Sequence, residues 1–286
     1  MIRILYMSDL HLEMERLRLS IPGWADFLRR RGTIARHPPH GPLLTDLGGK
    51  IDLVILAGDI HKGLRGIIYA EEVAAYLDAP VVYVAGNHEY YYHDIATLLP
   101  SFRKVNAKTN NQVQFLENAV ASFTFAGRRV HILGATLWTD YAINGDANAG
   151  MLAALRRMND HRAIYIGHEP FTPIHAARLH AQSLASLRET LAQLEAEDPK
   201  SQKIIVTHHA PDAAFLGARI GPIAPAYASN ILPYFKNPKP NLWIHGHTHY
   251  RHQTTLENLT LVSAPRGYVT HDGPPALTFR PGIAEL

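Results

Sequence analysis

The chain has 286 residues, of which 47% are hydrophobic and 19% charged, the balance of a folded globular protein and not of a disordered or collagen-like one. Lysine and arginine number 28 against 25 for aspartate and glutamate, with no dense basic block, so charge lends little support to nucleic-acid binding and suits a small anionic ligand equally well. Cysteine is absent, which excludes disulfides, thiolate nucleophiles and thiolate zinc sites and leaves nitrogen and oxygen to hold any metal.

Taken in chain order, the pattern is a series of short apolar runs, each ending in polar residues. Ile2–Tyr6 leads to Ser8 and Asp9, Leu53–Ala57 to Gly58 and Asp59, and Val81–Ala85 to Gly86 and Asn87. Ile204–Thr207 then precedes His208 and His209, and Leu242–Ile244 precedes His245, Gly246 and His247. Such runs are the signature of buried strands, and their polar ends are where side chains leave a sheet and converge on a crevice. Val130–Leu133 and Leu259–Val262 read as further strands. Helices are expected at Ala70–Leu77 and Ile95–Val105, giving the alternation of packed α/β layers.

Two segments stand outside this rhythm. Residues 20–49, with Arg29, Arg30, Arg31 and a Pro/His/Gly stretch from His37 to Pro42, read as an insertion over or beside the site. Residues 138–200 read as a helical, cap-like insertion containing one long helix, on which Leu184, Leu187, Leu191 and Leu194 share a face suited to core packing. Asp198 and Pro199 stop that helix, and Glu195 and Glu197 read as a solvated face. One domain over 1–286 with these two insertions is expected, and the C-terminal Gly282–Leu286 reads as loosely ordered. The first strand begins at the N-terminus, leaving no room for a signal peptide, and no run approaches the roughly 18 apolar residues of a membrane helix; cytoplasmic residence without membrane contact is expected.

The polar ends form an ordered inventory: Asp9-Leu10-His11, Gly58-Asp59, Gly86-Asn87-His88-Glu89, His208-His209 and Gly246-His247-Thr248-His249. In extended chain, residues two apart point the same way, so Asp9 with His11, and His247 with His249, can each face one site. Carboxylates, neutral imidazoles and a carboxamide are the donors that hold a pair of divalent cations. Such a pair shares a water, lowers its pKa from 15.7 towards about 7 and clamps a phosphate for in-line attack. Adjacent residues on a strand end face opposite ways, so only one of His208 and His209 can join the site.

In this order the five elements resemble the calcineurin-like metallophosphoesterase superfamily, over about residues 1–135 and 200–270. The resemblance implies an α/β fold, an αβ-sandwich of two mixed sheets flanked by helices with the metals at the strand ends. It implies that Asp9, His11 and His249 hold one metal, Asn87, His208 and His247 the other, and that the carboxylate of Asp59 bridges them. His88 would act as a catalytic proton donor near the leaving-group oxygen, with Asp59 central to catalysis and Glu89 orienting His88 by a hydrogen bond. By the same resemblance His208 is preferred to His209, which would contact substrate or brace the loop through Pro211. His61, Lys62 and Arg266 adjoin ligand-bearing loops and are further candidates for contact with substrate.

Ile60-His61-Lys62-Gly63 after Asp59 lacks the aspartate and arginine of the serine/threonine protein phosphatases and the tyrosine ligand of the purple acid phosphatases, so neither activity is expected. The expectation is a hydrolase using two divalent ions, Mn, Fe or Zn, on a small phosphorylated or nucleotide-like substrate. It would act on a diester ahead of a monoester, through a hydroxide bridging the metals. The alternatives are a nuclease for single-stranded nucleic acid, with Arg29–Arg31, Arg156 and Arg157 along the backbone, and a non-catalytic scaffold. The scaffold predicts lost ligands, and all five elements are present.

Overall fold

A computed structural model describes residues 1–14, 44, 47–107, 112–268 and 279–286. Most of the expected insertion at 20–49, with Arg29–Arg31, His37 and His40, lies outside the described residues.

The apolar runs form two mixed sheets. The first contains β1 (Arg3–Met7), β2 (Leu53–Ala57), β3 (Val81–Val84) and β4 (Val113–Leu116), all parallel, with β13 (Gly282–Glu285) antiparallel on the outer edge of β1. At the heart of the second, β6 (Arg128–Ala135), β9 (Gln202–Thr207), β10 (Leu242–His245) and β12 (Leu259–Ser263) are again parallel. β5 (Ala119–Phe125) and β11 (His252–Leu256) close its edges as antiparallel hairpin partners.

Alternation along each strand explains why the runs are apolar throughout rather than at every second residue. Ile4, Ile55, Val82 and Val84 point between the sheets, where they meet Ile132, Ile204, Val206 and Ile244. Their neighbours Leu5, Val54, Leu56 and Tyr83 face the helices on the other side. On the second sheet Leu133, Ile205 and Trp243 likewise face outward, against Leu187 and Leu191. Strands buried on both faces must be hydrophobic at every position, and each such side chain contributes about 1.5–3 kcal/mol on burial.

The helices are α1 (Arg65–Leu77), α2 (Ile95–Asn106), α3 (Ala147–Arg157), the short α4 (Asp160–Ala163) and α5 (Pro173–Glu197). Asp94 caps α2 by accepting from the Ala96 N–H at 2.8 Å, and Thr172 and His175 form a reciprocal cap at the start of α5, which ends at Asp198 as expected. Leu184, Leu187, Leu191 and Leu194 all pack into the outer core of the second sheet. The 138–200 segment therefore supplies a covering layer as well as α3, α4 and the two-residue strands β7 (Tyr165–Ile166) and β8 (Glu169–Pro170).

Two expectations are corrected. The C-terminal residues are not loose: Glu285 to Gly282 pair with Arg3 to Tyr6, and Leu286 exchanges both backbone hydrogen bonds with Ile2, because the open edge of β1 needs a partner for its donors and acceptors. Glu195 is not simply solvated: its carboxylate stands 2.8 Å from Nζ of the buried Lys203, which also donates to the Asp198 carbonyl.

Candidate metal centre

The carboxyl ends of the parallel strands from both sheets meet at one place. Asp9 and His11 follow β1, Asp59 follows β2, Asn87 and His88 follow β3, His208 follows β9, and His247 and His249 follow β10. All but His249, which is half-buried, are buried. Bringing them together bends the chain hard. Asp9, His11, Asp59, His247 and His249 all have positive φ, between 47° and 67°, a conformation that costs a non-glycine residue about 1–3 kcal/mol and concentrates at functional sites. Glycine makes the approach sterically possible: a Cβ on Gly86 would lie 2.1 Å from Asp59 Oδ1, and one on Gly246 would lie 2.6 Å from Asp9 Oδ2.

Among the described residues three groups bring ligand-type atoms within 4.8 Å of one another: Asp9, His11 and His249; His11, Asp59 and His88; and Asp59, His208 and His247. Asp59 stands between them, its Oδ2 3.7 Å from His11 Nε2 and its Oδ1 3.4 Å from His208 Nε2. His11 Nε2 and His249 Nε2 face each other at 3.2 Å, and His249 Nε2 lies 3.4 Å from Asp9 Oδ1. On the other side His208 Nε2 lies 3.1 Å from Asn87 Oδ1 and 3.2 Å from His247 Nδ1.

The outer partners aim these atoms inward. His208 Nδ1 is 2.9 Å from the Ala57 carbonyl; a carbonyl only accepts, so Nδ1 carries a hydrogen and Nε2 is the nitrogen turned to the centre. Asn87 donates through Nδ2 to Asp160 at 2.8 Å, which turns its oxygen the same way. His209 points elsewhere: its Nδ1 is 3.1 Å from the Thr136 carbonyl and its ring lies against those of Trp138 and His247.

Burial and charge act together here. Burial would raise the Asp59 pKa, but the neighbouring His208 and His88 outweigh it and hold the carboxyl well below its usual range. Burial would lower that of His208, and the Asp59 carboxylate overcomes it, drawing the imidazole up to about 10. Burial, joined by His209 and His208, puts His247 well below its ordinary value, and burial with His88 lowers His11. Two ionised carboxylates, a carboxamide oxygen and converging imidazole nitrogens form a dry pocket of nitrogen and oxygen donors. These residues fit divalent cations of the first transition row, for which nitrogen and oxygen donors suffice.

His88 sits beside this set, its Nε2 3.9 Å from Asp59 Oδ2. The expected hydrogen bond from Glu89 is corrected. The buried Glu89 carboxylate accepts instead from the backbone N–H groups of Asp59, Ile60, His61 and Gly86 and from the Tyr83 hydroxyl, tying the second and third loops together. The partner of His88 Nδ1 is Glu13, at 2.8 Å, and that of Nε2 is the Tyr268 hydroxyl, at 2.9 Å. Burial lowers the His88 pKa, but Asp59 and Glu13 overcome it and leave the imidazole raised.

Glu13, Asp160 and Tyr268 are the site residues that sequence reasoning missed. Only Glu13 carried a signal, as it extends the alternation Asp9-x-His11-x-Glu13 by one step. Of the remaining candidates, His61 is buried with its Nδ1 3.2 Å from the Lys62 carbonyl. Lys62 lies over Tyr91 and Tyr92. Arg266 is buried and donates to the Leu10 carbonyl within the Asp9 loop. Arg156 and Arg157 occupy the last turn of α3, a position where cations favour the helix dipole.

The sequence profile of the calcineurin-like phosphoesterase family matches residues 2–251, running through the middle segment that the five motifs left unassigned. The chain belongs to that family, and with it to the hydrolases of phosphoric ester bonds. Among solved structures it is similar to the phosphopantetheinyl hydrolase PptH from Mycobacterium tuberculosis, at 17% identity over 98% of this chain and 95% of that one, with a TM-score of 0.70. It also matches GAP50, the anchor in the inner membrane complex of Plasmodium, at 12% identity over 93% of this chain and 72% of that one, with a TM-score of 0.43. No curated protein sequence matches the chain. Among the described residues no helix is long and apolar enough to cross a membrane.

Proposed function

We propose that the protein is a cytoplasmic hydrolase of small organic or nucleotide-like phosphate esters, diesters ahead of monoesters. Asp9, His11 and His249 would hold one divalent ion, Asn87, His208 and His247 a second, and Asp59 both. The observation that carries this is the position of Asp59, whose two carboxylate oxygens face His11 on one side and His208 on the other. When bound, Mn, Fe or Zn ions supply positive charge to the phosphoryl oxygens and acidify an attacking water.

The chain's own residues supply the rest. His88, fixed by Glu13 at Nδ1, holds its proton at Nε2 and gives it to the departing oxygen, a contribution of about 10²–10⁴ in rate. The Tyr268 hydroxyl, 2.9 Å from that nitrogen, yields its place to the leaving group when substrate enters. Asp160 and the Ala57 carbonyl keep Asn87 and His208 turned inward, so the ligands need no rearrangement to bind.

The test is hydrolysis of bis(4-nitrophenyl) phosphate and 4-nitrophenyl phosphate by chelator-treated protein, before and after addition of Mn²⁺. Metal-restored turnover, faster for the diester, is expected. Absence of turnover on both esters with Mn²⁺, Fe²⁺ and Zn²⁺ would falsify the proposal. A phosphopantetheinyl ester belongs in the substrate panel because of the activity named for the structural neighbour.

A further inference from the structure

Beside His88 the surface opens into a cavity of about 480 Å³. Its wall carries two cations, Lys62 and Arg162, and the rings of Tyr91, Tyr92 and Tyr268, with no carboxylate among its described lining residues. Lys62 is half-buried, its Nζ 4.7 Å from the centroid of the Tyr92 ring and 5.9 Å from that of Tyr91. Aromatic faces hold an ammonium in place without neutralising it. Arg162 donates to the Arg156 carbonyl, which also fixes the guanidinium and leaves its charge intact. Among the described residues neither cation is within ion-pair distance of a carboxylate. Lys62, Tyr91 and Tyr92 also border a second cavity of about 690 Å³, whose lining adds Arg65 and, on the side of the centre, the Glu13 carboxylate.

A donor must lie within hydrogen-bond reach of the oxygen it protonates. If His88 protonates the leaving oxygen, the rest of the leaving group has to continue into the space that His88 borders. We propose that this cavity is the leaving-group pocket and that Lys62 and Arg162 select substrates whose leaving group carries a second phosphate. The inference rests on the phosphoesterase function proposed above. In the reaction the bond from phosphorus to the leaving oxygen breaks and one to the water oxygen forms. The leaving oxygen takes a proton from His88, and the water gives one up, so no oxidant or reductant is needed. The second phosphate stays intact and serves only for binding, through charge-assisted hydrogen bonds to the two cations.

The experiment compares three thymidine dinucleotides joined by one 3′–5′ diester: one without a terminal phosphate, one with a 3′-phosphate and one with a 5′-phosphate. Product analysis identifies which nucleoside departs. The expected result is a kcat/KM at least tenfold higher when the departing nucleoside carries the phosphate, and a ratio within twofold of one in the Lys62→Gln/Arg162→Gln double variant. Both side chains reach the surface, and a thermal melt within a few degrees of wild type verifies the fold. Equal rates on all three dinucleotides, or a preference that survives the double substitution, overturn the proposal. Turnover of bis(4-nitrophenyl) phosphate without that preference, or without cleavage of any dinucleotide, overturns the pocket assignment alone. Failure on every ester with metal present overturns the phosphoesterase proposal beneath it.

Discussion

Glu13 Oε1 lies 2.8 Å from His88 Nδ1 and 3.5 Å from His11 Nδ1, within the buried floor of the centre. One carboxylate thus touches both a ligand candidate and the proposed proton donor. Burial alone would raise the Glu13 pKa, but the adjacent imidazoles of His11 and His88 outweigh it and hold the carboxyl well below its usual range.

Glu13→Gln keeps an acceptor oxygen for His88 but loses the charge, whereas Glu13→Ala loses both. Expected is a fall in kcat of about tenfold for the glutamine variant and about 10²-fold or more for alanine, with a smaller change in KM. Steady-state kinetics on a chromogenic diester checks this. Equal losses in the two variants would mean that orientation of the ring does not matter.

His208 and His209 are adjacent but face different surroundings. His208→Ala should lower bound metal by about one ion per chain, while His209→Ala, which removes a hydrogen bond to the Thr136 carbonyl, should retain both ions and lower activity less. Mass-spectrometric metal analysis of the two purified variants distinguishes them.

Gly86 cannot carry a side chain where it stands, because the added Cβ would lie 2.1 Å from Asp59 Oδ1 and 2.7 Å from His208 Cε1. Gly86→Ala should push Asp59 off its position and cost at least 10²-fold in turnover. The comparison is with Gly127→Ala, whose new methyl group meets nothing within 4 Å, although its positive φ carries a modest stability cost.

The half-buried Glu117 accepts from the backbone N–H and hydroxyl of Thr136, yet burial outweighs these bonds and pushes its pKa up to about 7 from 4.5. Between those two values the folded state holds a proton that the unfolded chain has released. The associated stability is complete below about pH 4.5 and is lost as pH rises through 7. Glu117→Gln preserves the acceptor without the charge. It should flatten this part of the stability profile and leave the variant about 1–3 kcal/mol more stable than wild type at pH 8, measured by urea unfolding.

The legible parts of the sequence were those in which one residue's neighbours determine its role. Doubly buried strands are apolar at every position, so Leu53–Ala57 and Val81–Val84 announced themselves, and the residues that followed them had to sit at strand ends. What stayed hidden depends on distant chain. Asn87 is oriented by Asp160, 73 residues on, and His88 meets Tyr268, 180 residues on. β13 pairs with β1 across nearly the full length of the chain. Glu89 misled for a different reason. Its place beside His88 in sequence suggested a side-chain partner, but the tight loop after β3 turns it back onto the amides at the end of β2, which need an acceptor more than the ring does.

If Asp59 joins two metal ions in one hydrolytic centre, its loss must show at once in the metal content and in the diester turnover of a single Asp59→Ala preparation. Wild type should hold about two divalent ions per chain and hydrolyse bis(4-nitrophenyl) phosphate. The variant should hold one or none and lose at least 10³-fold in kcat, given the loss of the shared ligand. Two retained ions with turnover near that of wild type would contradict the account.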